Sequence, residues 1–195
     1  MARTLTEKTR TTILEAAACV IARRGFHDVL TDEIAGEAGV GKGTLYRYFR
    51  TKEEILDGAL LLGFDELEAA LEADRSLAGP PSRVLRRVAE ETLRIFWDRP
   101  SFYLYVNRDA SGFRAREREF LRRRERIARL VRELIARGIA SGEFRRIQPR
   151  IAAEMFLGML RGALRYRNGS DSPGALVETL CGLFLSGIAQ RKEMR

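Results

Sequence analysis

Apolar residues recur at helical spacing along nearly the whole chain, and no run sustains the alternation of a half-buried strand, so the pattern predicts an all-α protein. Ile13, Ala17, Val20 and Ile21 form one stripe of a first helix from about Thr6 to Arg24, which Gly25 is placed to end. Thr31 is expected to cap a short second helix, with Asp32 and Glu33 in its first turn against the positive end of the dipole. That helix reaches Gly39, and a third begins near Gly41–Thr44 and runs to Phe49. Thr51-Lys52-Glu53-Glu54 then has the form of a capping box, opening a long helix striped by Ile55, Leu56, Ala59, Leu60, Leu67 and Leu71.

Leu77-Ala78-Gly79-Pro80-Pro81 is the best candidate for a turn between units. Ser82 is expected to cap the next helix, over about 83–98, which stops before Pro100. Further helices are expected over 101–109, over 112–141 ending near Gly142, over 150–167 after Pro149, and over 173–191 with Ser172 and Pro173 as N-cap and first residue. About nine helices result. The expected division is a three-helix head in residues 1–52 and a larger helical domain in 53–195.

Two short helices joined through a glycine are what a helix-turn-helix needs, and Thr31 to Arg50 supplies them. Gly39 suits the positive φ of the turn, Ala35 permits a close crossing, and Ile34, Val40 and Leu45 form the apolar wedge beneath both helices. With Leu45 facing inward, Phe49 lies about 40° away, whereas Gly43 and Arg47 point almost directly outward, flanked by Thr44 and Tyr46. Such a strip suits a major groove, because glycine permits close approach, hydroxyls bond phosphates and Arg can fork onto guanine. Tyr48 lies about 60° from Leu45 and is equally suited to packing its ring with the hydroxyl left in water.

Charge adds less than it first promises. The 195 residues carry a net charge of +8, yet residues 1–52 hold nine Lys and Arg against six Asp and Glu, while residues 108–146 hold thirteen against six. Most of the excess therefore lies outside the reading head. The Arg-rich run from Arg114 to Arg137 is interleaved with Glu117, Glu119, Glu125 and Glu133, which favours a solvated ion-pair face over a second nucleic-acid site. No apolar run approaches the roughly 20 residues that span a bilayer, and the first residues lack the apolar core of a signal peptide, so a cytoplasmic protein is expected. Cys19 and Cys181 are read as small buried hydrophobes rather than as a disulfide or metal pair.

Enzyme chemistry finds no support, and no cofactor is expected. His27 is the single histidine, with no Cys or carboxylate cluster around it in sequence, and Gly41-Lys42-Gly43-Thr44 lacks the upstream glycine and strand of a phosphate-binding loop.

Thr31-Asp32-Glu33-Ile34-Ala35, then Gly39-Val40-Gly41-Lys42-Gly43-Thr44-Leu45-Tyr46-Arg47-Tyr48-Phe49, then Lys52-Glu53-Glu54 closely resembles the N-terminal signature of TetR-family transcriptional regulators, and Gly25-Phe26 fits it too. The resemblance covers about residues 7–67. It implies a homodimeric repressor that binds palindromic double-stranded operator DNA and is released by a small molecule sensed in the C-terminal part. Carried over by position, it implies that Thr31 and Lys52 touch phosphates, that Lys42, Gly43 and Thr44 stand at the entrance of the recognition helix, and that Tyr46, Arg47 and Tyr48 meet the groove and its walls. Arg47 is favoured for base contact, with Lys42 and Lys52 as anchors. The runner-up from another class is a ligand-independent DNA-binding or protein-interaction module.

Beyond residue 80 no closer resemblance names an effector. Trp97, Phe102, Tyr105, Phe113, Phe156 and Met159 are candidates to line an apolar pocket, although such side chains also build ordinary cores. Tyr103, Tyr105, Asn107 and Arg108 among them give a mild preference for an apolar effector that is acidic or acylated. The last helix is apolar around much of its circumference, and with the helix over 150–167 it is expected to pair across a two-fold axis through Met155, Leu160, Leu180, Phe184 and Ile188. Gly158 and Gly162 fit either a close helix approach there or a tolerated place in a long helix.

Overall fold

The computed structural model describes residues 2–25, 28–73, 79–97 and 117–189. Eight helices lie among them: α1 (Ala2–Arg24), α2 (Thr31–Glu37), α3 (Lys42–Tyr48), α4 (Lys52–Ala73), α5 (Pro81–Phe96), α6 (Glu117–Ala140), α7 (Pro149–Tyr166) and α8 (Pro173–Ile188). The described residues contain no strand, and a single antiparallel bridge joins Phe144 to Ala189. The chain is all-α, as its periodicity requires. The short helix expected over 101–109 lies outside the described residues.

Two compact units emerge. The first takes the chain up to Glu66 together with Phe120 at the start of α6, and the second takes Leu67–Trp97 and the chain from Leu121 onward. In the first unit α1 packs on α2 and α2 on α3. The α1 stripe of Ile13, Ala17, Val20 and Ile21 is buried, together with Ile34 and Ala35 of α2, Leu45 of α3, and Ile55, Leu56, Ala59 and Leu60 of α4. Four short or amphipathic helices thus share one core, and burial rather than intrinsic propensity holds the seven-residue helices α2 and α3 in place. Phe64 and Phe120 meet edge-on with centroids 5.6 Å apart.

In the second unit α5 packs against α7 and α8, which also pack on each other. Val84, Leu85, Val88, Phe96, Phe156 and Leu160 are among its wholly or almost wholly buried side chains, and Phe156 meets Phe184 with centroids 5.0 Å apart. Glu91 is buried on α5 between Arg87, at 3.0 Å, and Arg94, at 2.8 Å, which satisfies a charge that would otherwise be costly. Gly138 is required by close approach, since a Cβ there would lie 2.1 Å from a ring carbon of Phe144.

Helix α1 begins at Ala2, ahead of the expected Thr6, and two of the four expected N-caps are not the residues observed. Residue Leu30, not Thr31, is the N-cap of α2, and no side chain caps it. Pro80, not Ser82, is the N-cap of α5, which begins with Pro81 as its first residue, while the Ser82 N–H donates to Glu143 at 3.1 Å. The other two expected N-caps hold. Thr51 Oγ1 accepts from the Glu54 N–H at 3.1 Å, and Glu54 Oε2 reaches back to the Arg50 N–H at 2.8 Å, one residue earlier than in a standard capping box. Ser172 accepts from the Ala175 N–H at 3.2 Å ahead of Pro173.

Cysteine placement is split. Cys181 is buried as expected, and burial raises its thiol pKa, but Cys19 is exposed. It lies on the same α1 face as Glu15 and Arg23, which are also exposed.

Candidate nucleic-acid interface

The turn between α2 and α3 is made by Gly39 at φ +64°, with its N–H on the Gly36 carbonyl at 3.1 Å and the Val40 N–H on the Ala35 carbonyl at 3.0 Å. This left-handed residue is what lets two short helices meet around one apolar wedge. Leu45 and Phe49 are fully buried beneath α3. The Phe49 ring also carries the Arg10 guanidinium 5.2 Å from its centroid, tying α1 to the end of the recognition helix.

With that face fixed inward, the opposite face of α3 is open. Lys42, Gly43, Tyr46 and Arg47 are exposed, and Thr44 and Tyr48 are half-buried. Tyr46 keeps 42% of its surface, and nothing stands within 4 Å of a Cβ placed on Gly43. Arg47 lies over the Tyr48 ring, its guanidinium carbon 5.7 Å from the centroid, so the half-buried Tyr48 supports an exposed basic side chain. Lys52 is half-buried in the first turn of α4. Thr31 is half-buried at the first turn of α2, and its hydroxyl stands 3.2 Å from that of Tyr46.

Sequence reasoning placed Asp32 and Glu33 against the α2 dipole and missed what they face across the fold. The Asp32 carboxylate lies 2.7 Å from the Lys42 ammonium, Glu33 lies 2.7 Å from Arg24, and Glu37 lies 2.5 Å from Arg23. The hydrogen bond that Lys42 donates to Asp32 raises the Lys42 pKa, and the one that Arg23 donates to Glu37 lowers that of Glu37 and raises that of Arg23. Three acids of α2 thus neutralise three bases of neighbouring helices. A ten-residue spacing between Asp32 and Lys42 carries no local signal; only the geometry of the turn brings them together.

Those of the remaining expected sites that are described fall in the second unit. Of the pocket candidates, Phe102, Tyr105 and Phe113 lie outside the described residues. Phe156 is core, packed on Phe184. Trp97 lies beneath Arg167, whose guanidinium carbon is 4.3 Å from a Trp97 ring centroid and whose Nη2 donates to the Trp97 carbonyl. Met159 lines an open apolar groove of about 290 Å³ with Ile151, Met155, Leu183, Phe184 and Ile188. A second cavity, of about 330 Å³, is lined by Glu68, Leu71, Glu72, Arg126, Ile127 and Leu130 and contains none of the candidates.

Among the interface candidates, Leu160, Leu180, Phe184 and Ile188 are buried within the protomer, whereas Met155 keeps 61% of its surface. Leu183, with 67% exposed, and Ile151, with 49%, stand on the same groove. A Cβ on Gly162 would meet nothing within 4 Å, and one on Gly158 would meet only Arg161 Nη2, at 3.6 Å. In the basic run, Arg123 and Arg126 reach Glu68 of α4, at 2.7 and 3.1 Å, and Arg124 reaches Glu154 of α7, so much of the pairing is between helices rather than along one.

Among the described residues no helix is long and apolar enough to cross a membrane, and no three side chains are grouped to hold a metal ion. His27 lies outside the described residues.

Residues 13–59 match the model of bacterial regulatory proteins of the tetR family, and residues 78–188 match that of the tetracyclin repressor-like C-terminal domain. An uncharacterised helix-turn-helix transcriptional regulator of Bacillus subtilis, YfiR, is 28% identical over 96% of this chain and 95% of its own. The fatty acid metabolism regulator protein of the same organism is 50% identical over 44 residues, 23% of each chain. The solved structure of the TetR-like regulator LfrR from Mycobacterium smegmatis, in complex with proflavine, superposes with a TM-score of 0.75 at 25% identity, covering 98% of this chain and 100% of that one. With both its head and its larger helical part matched, the chain belongs to the TetR family and is a DNA-binding transcriptional regulator.

Proposed function

We propose that the protein is a homodimeric repressor that holds a palindromic operator through α3 and releases it on binding a small molecule, with residues 1–52 reading DNA and residues 53–195 sensing and pairing. The observation that carries this reading is the division of α3 into a fully buried face, Leu45 and Phe49, and an open face of Lys42, Gly43, Tyr46 and Arg47. An exposed helix of this composition suits insertion into a major groove, with Arg47 reading a base and Thr31, Lys42, Thr44 and Lys52 on the backbone. Tyr46 and Tyr48 flank Arg47 as groove-wall contacts.

Pairing is supported by the groove of α7 and α8, where Ile151, Met155 and Leu183 leave apolar surface that one protomer does not cover. For the effector, the apolar and aromatic candidates of the C-terminal sequence favour a small apolar molecule, with an acidic or acylated head as the variant that Tyr103, Tyr105, Asn107 and Arg108 would accept. LfrR, similar over the whole chain, is solved with proflavine.

Control then follows from linkage. α4 runs without interruption from Lys52 to Ala73, contributing to the first unit up to Glu66 and to the second from Leu67. A ligand favouring the dimer conformation whose heads mismatch successive major grooves, about 34 Å apart, weakens DNA binding, and DNA weakens ligand binding by the same factor. Operator affinity measured across a metabolite panel tests this. A compound that binds and lowers operator affinity supports it; affinity unchanged by every compound that binds favours the ligand-independent module.

A further inference from the structure

The acids of α2 fall into two kinds by what they hold. Glu33 and Glu37 pair with Arg24 and Arg23 of α1 and so tie the head's scaffold together. Asp32 instead holds Lys42, the first residue of the recognition helix, at 2.7 Å. Its neighbour Thr31 meets Tyr46, one turn further along the same face of α3. Two adjacent links therefore fix the start of α2 to the face of α3 that carries the basic entrance, and the carboxylate is held in place beside Lys42.

We propose that Asp32 is a positioning residue for DNA binding: its carboxylate pairs with the Lys42 ammonium as a DNA phosphate would, and so competes with the backbone for that cation. The inference rests on the reading of Lys42 as a phosphate anchor. Both partners are well exposed, Lys42 at 57% and Asp32 at 66% of the side chain, so a phosphate oxygen reaches the ammonium without any rearrangement of the fold. An exposed pair of this kind contributes little to folding. Its effect appears in competition with a polyanion, where the displaced carboxylate is left close to phosphates and opposes them. Asp32 thereby limits sequence-independent affinity and makes its salt dependence shallower than the count of bases in the head implies.

The test is a double-mutant cycle of the full-length protein, Asp32→Asn, Lys42→Ala and the pair, titrated over a salt series on random-sequence duplex DNA of about three helical turns. Asp32→Asn is expected to tighten binding about two- to five-fold and to steepen the slope of log affinity against log salt by up to about 0.9 per head. Most of that gain should disappear in the Lys42→Ala background. Since Asp32 also favours the α2 dipole, Asp32→Ser serves as a second neutral variant, with melting temperature recorded for both. Unchanged affinity and slope in both folded variants would overturn the proposal, as would a gain of equal size without Lys42. Lys42→Ala alone separates the two levels: if it weakens binding while the Asp32 variants do nothing, the anchor reading stands and the role of Asp32 fails. If Lys42→Ala binds with the affinity and slope of the parent, the anchor reading fails and the role of Asp32 with it.

Discussion

Arg47 and Lys52 make contacts of different kinds in this account, and their replacements should separate. Lys52→Ala should weaken binding to all sequences alike and make the salt slope shallower by about 1, whereas Arg47→Ala should relax preference at one base position at a cost of about 1–3 kcal/mol there. Competition of each variant against single-base operator changes checks both. Thiol chemistry gives a further prediction. A thiol-specific reagent should label Cys19 in the native protein and spare Cys181, whose burial raises its pKa and keeps it protonated at neutral pH; after denaturation both should react. At this scale the sequence was legible wherever a residue's environment follows from its own helix. Leu45 and Phe49 faced inward and Gly43 and Arg47 outward, as periodicity requires. Cys19 was misread although Glu15 and Arg23, four residues either side, mark its face as exposed. The Thr31 hydroxyl was illegible for another reason, since its neighbour Tyr46 lies across the turn and cap preference alone did not decide where α2 begins.

At the scale of elements, the turn at Gly39 and the close approach at Gly138 give opposite kinds of strain. Gly39→Ala meets open space but must hold φ +64°, so it should destabilise the head by about 1–2 kcal/mol without displacing a neighbour. Gly138→Ala must push Phe144 aside, an overpacking cost of about 1–3 kcal/mol. Denaturant titration of both variants measures these costs. Helix positions were readable because their apolar spacing is local, and Ser172-Pro173 and Thr51–Glu54 marked their starts correctly. The ion pairs of α6 were not readable in full, because Glu68 and Glu154, which receive Arg123, Arg126 and Arg124, belong to helices distant in sequence.

For the whole molecule, the proposed pairing face is the feature a single change should disrupt. Leu183→Glu places a charge on a position that is exposed in the protomer, so the fold should survive while the proposed dimer, twice 22.1 kDa, dissociates toward monomer. Light scattering reads this, and an unchanged mass would place the interface elsewhere. A monomer holds one head and loses the two-fold match to a palindrome, so operator affinity should fall with it. The most direct test of the central claim is selection of bound duplexes from random DNA by the unliganded protein, repeated with Arg47→Ala. Two inverted half-sites centred about one helical turn apart, with preference lost at one position of each half-site in the variant, are the predicted result. Recovery of no enriched sequence, or of the same sequence with undiminished preference from the variant, would contradict it.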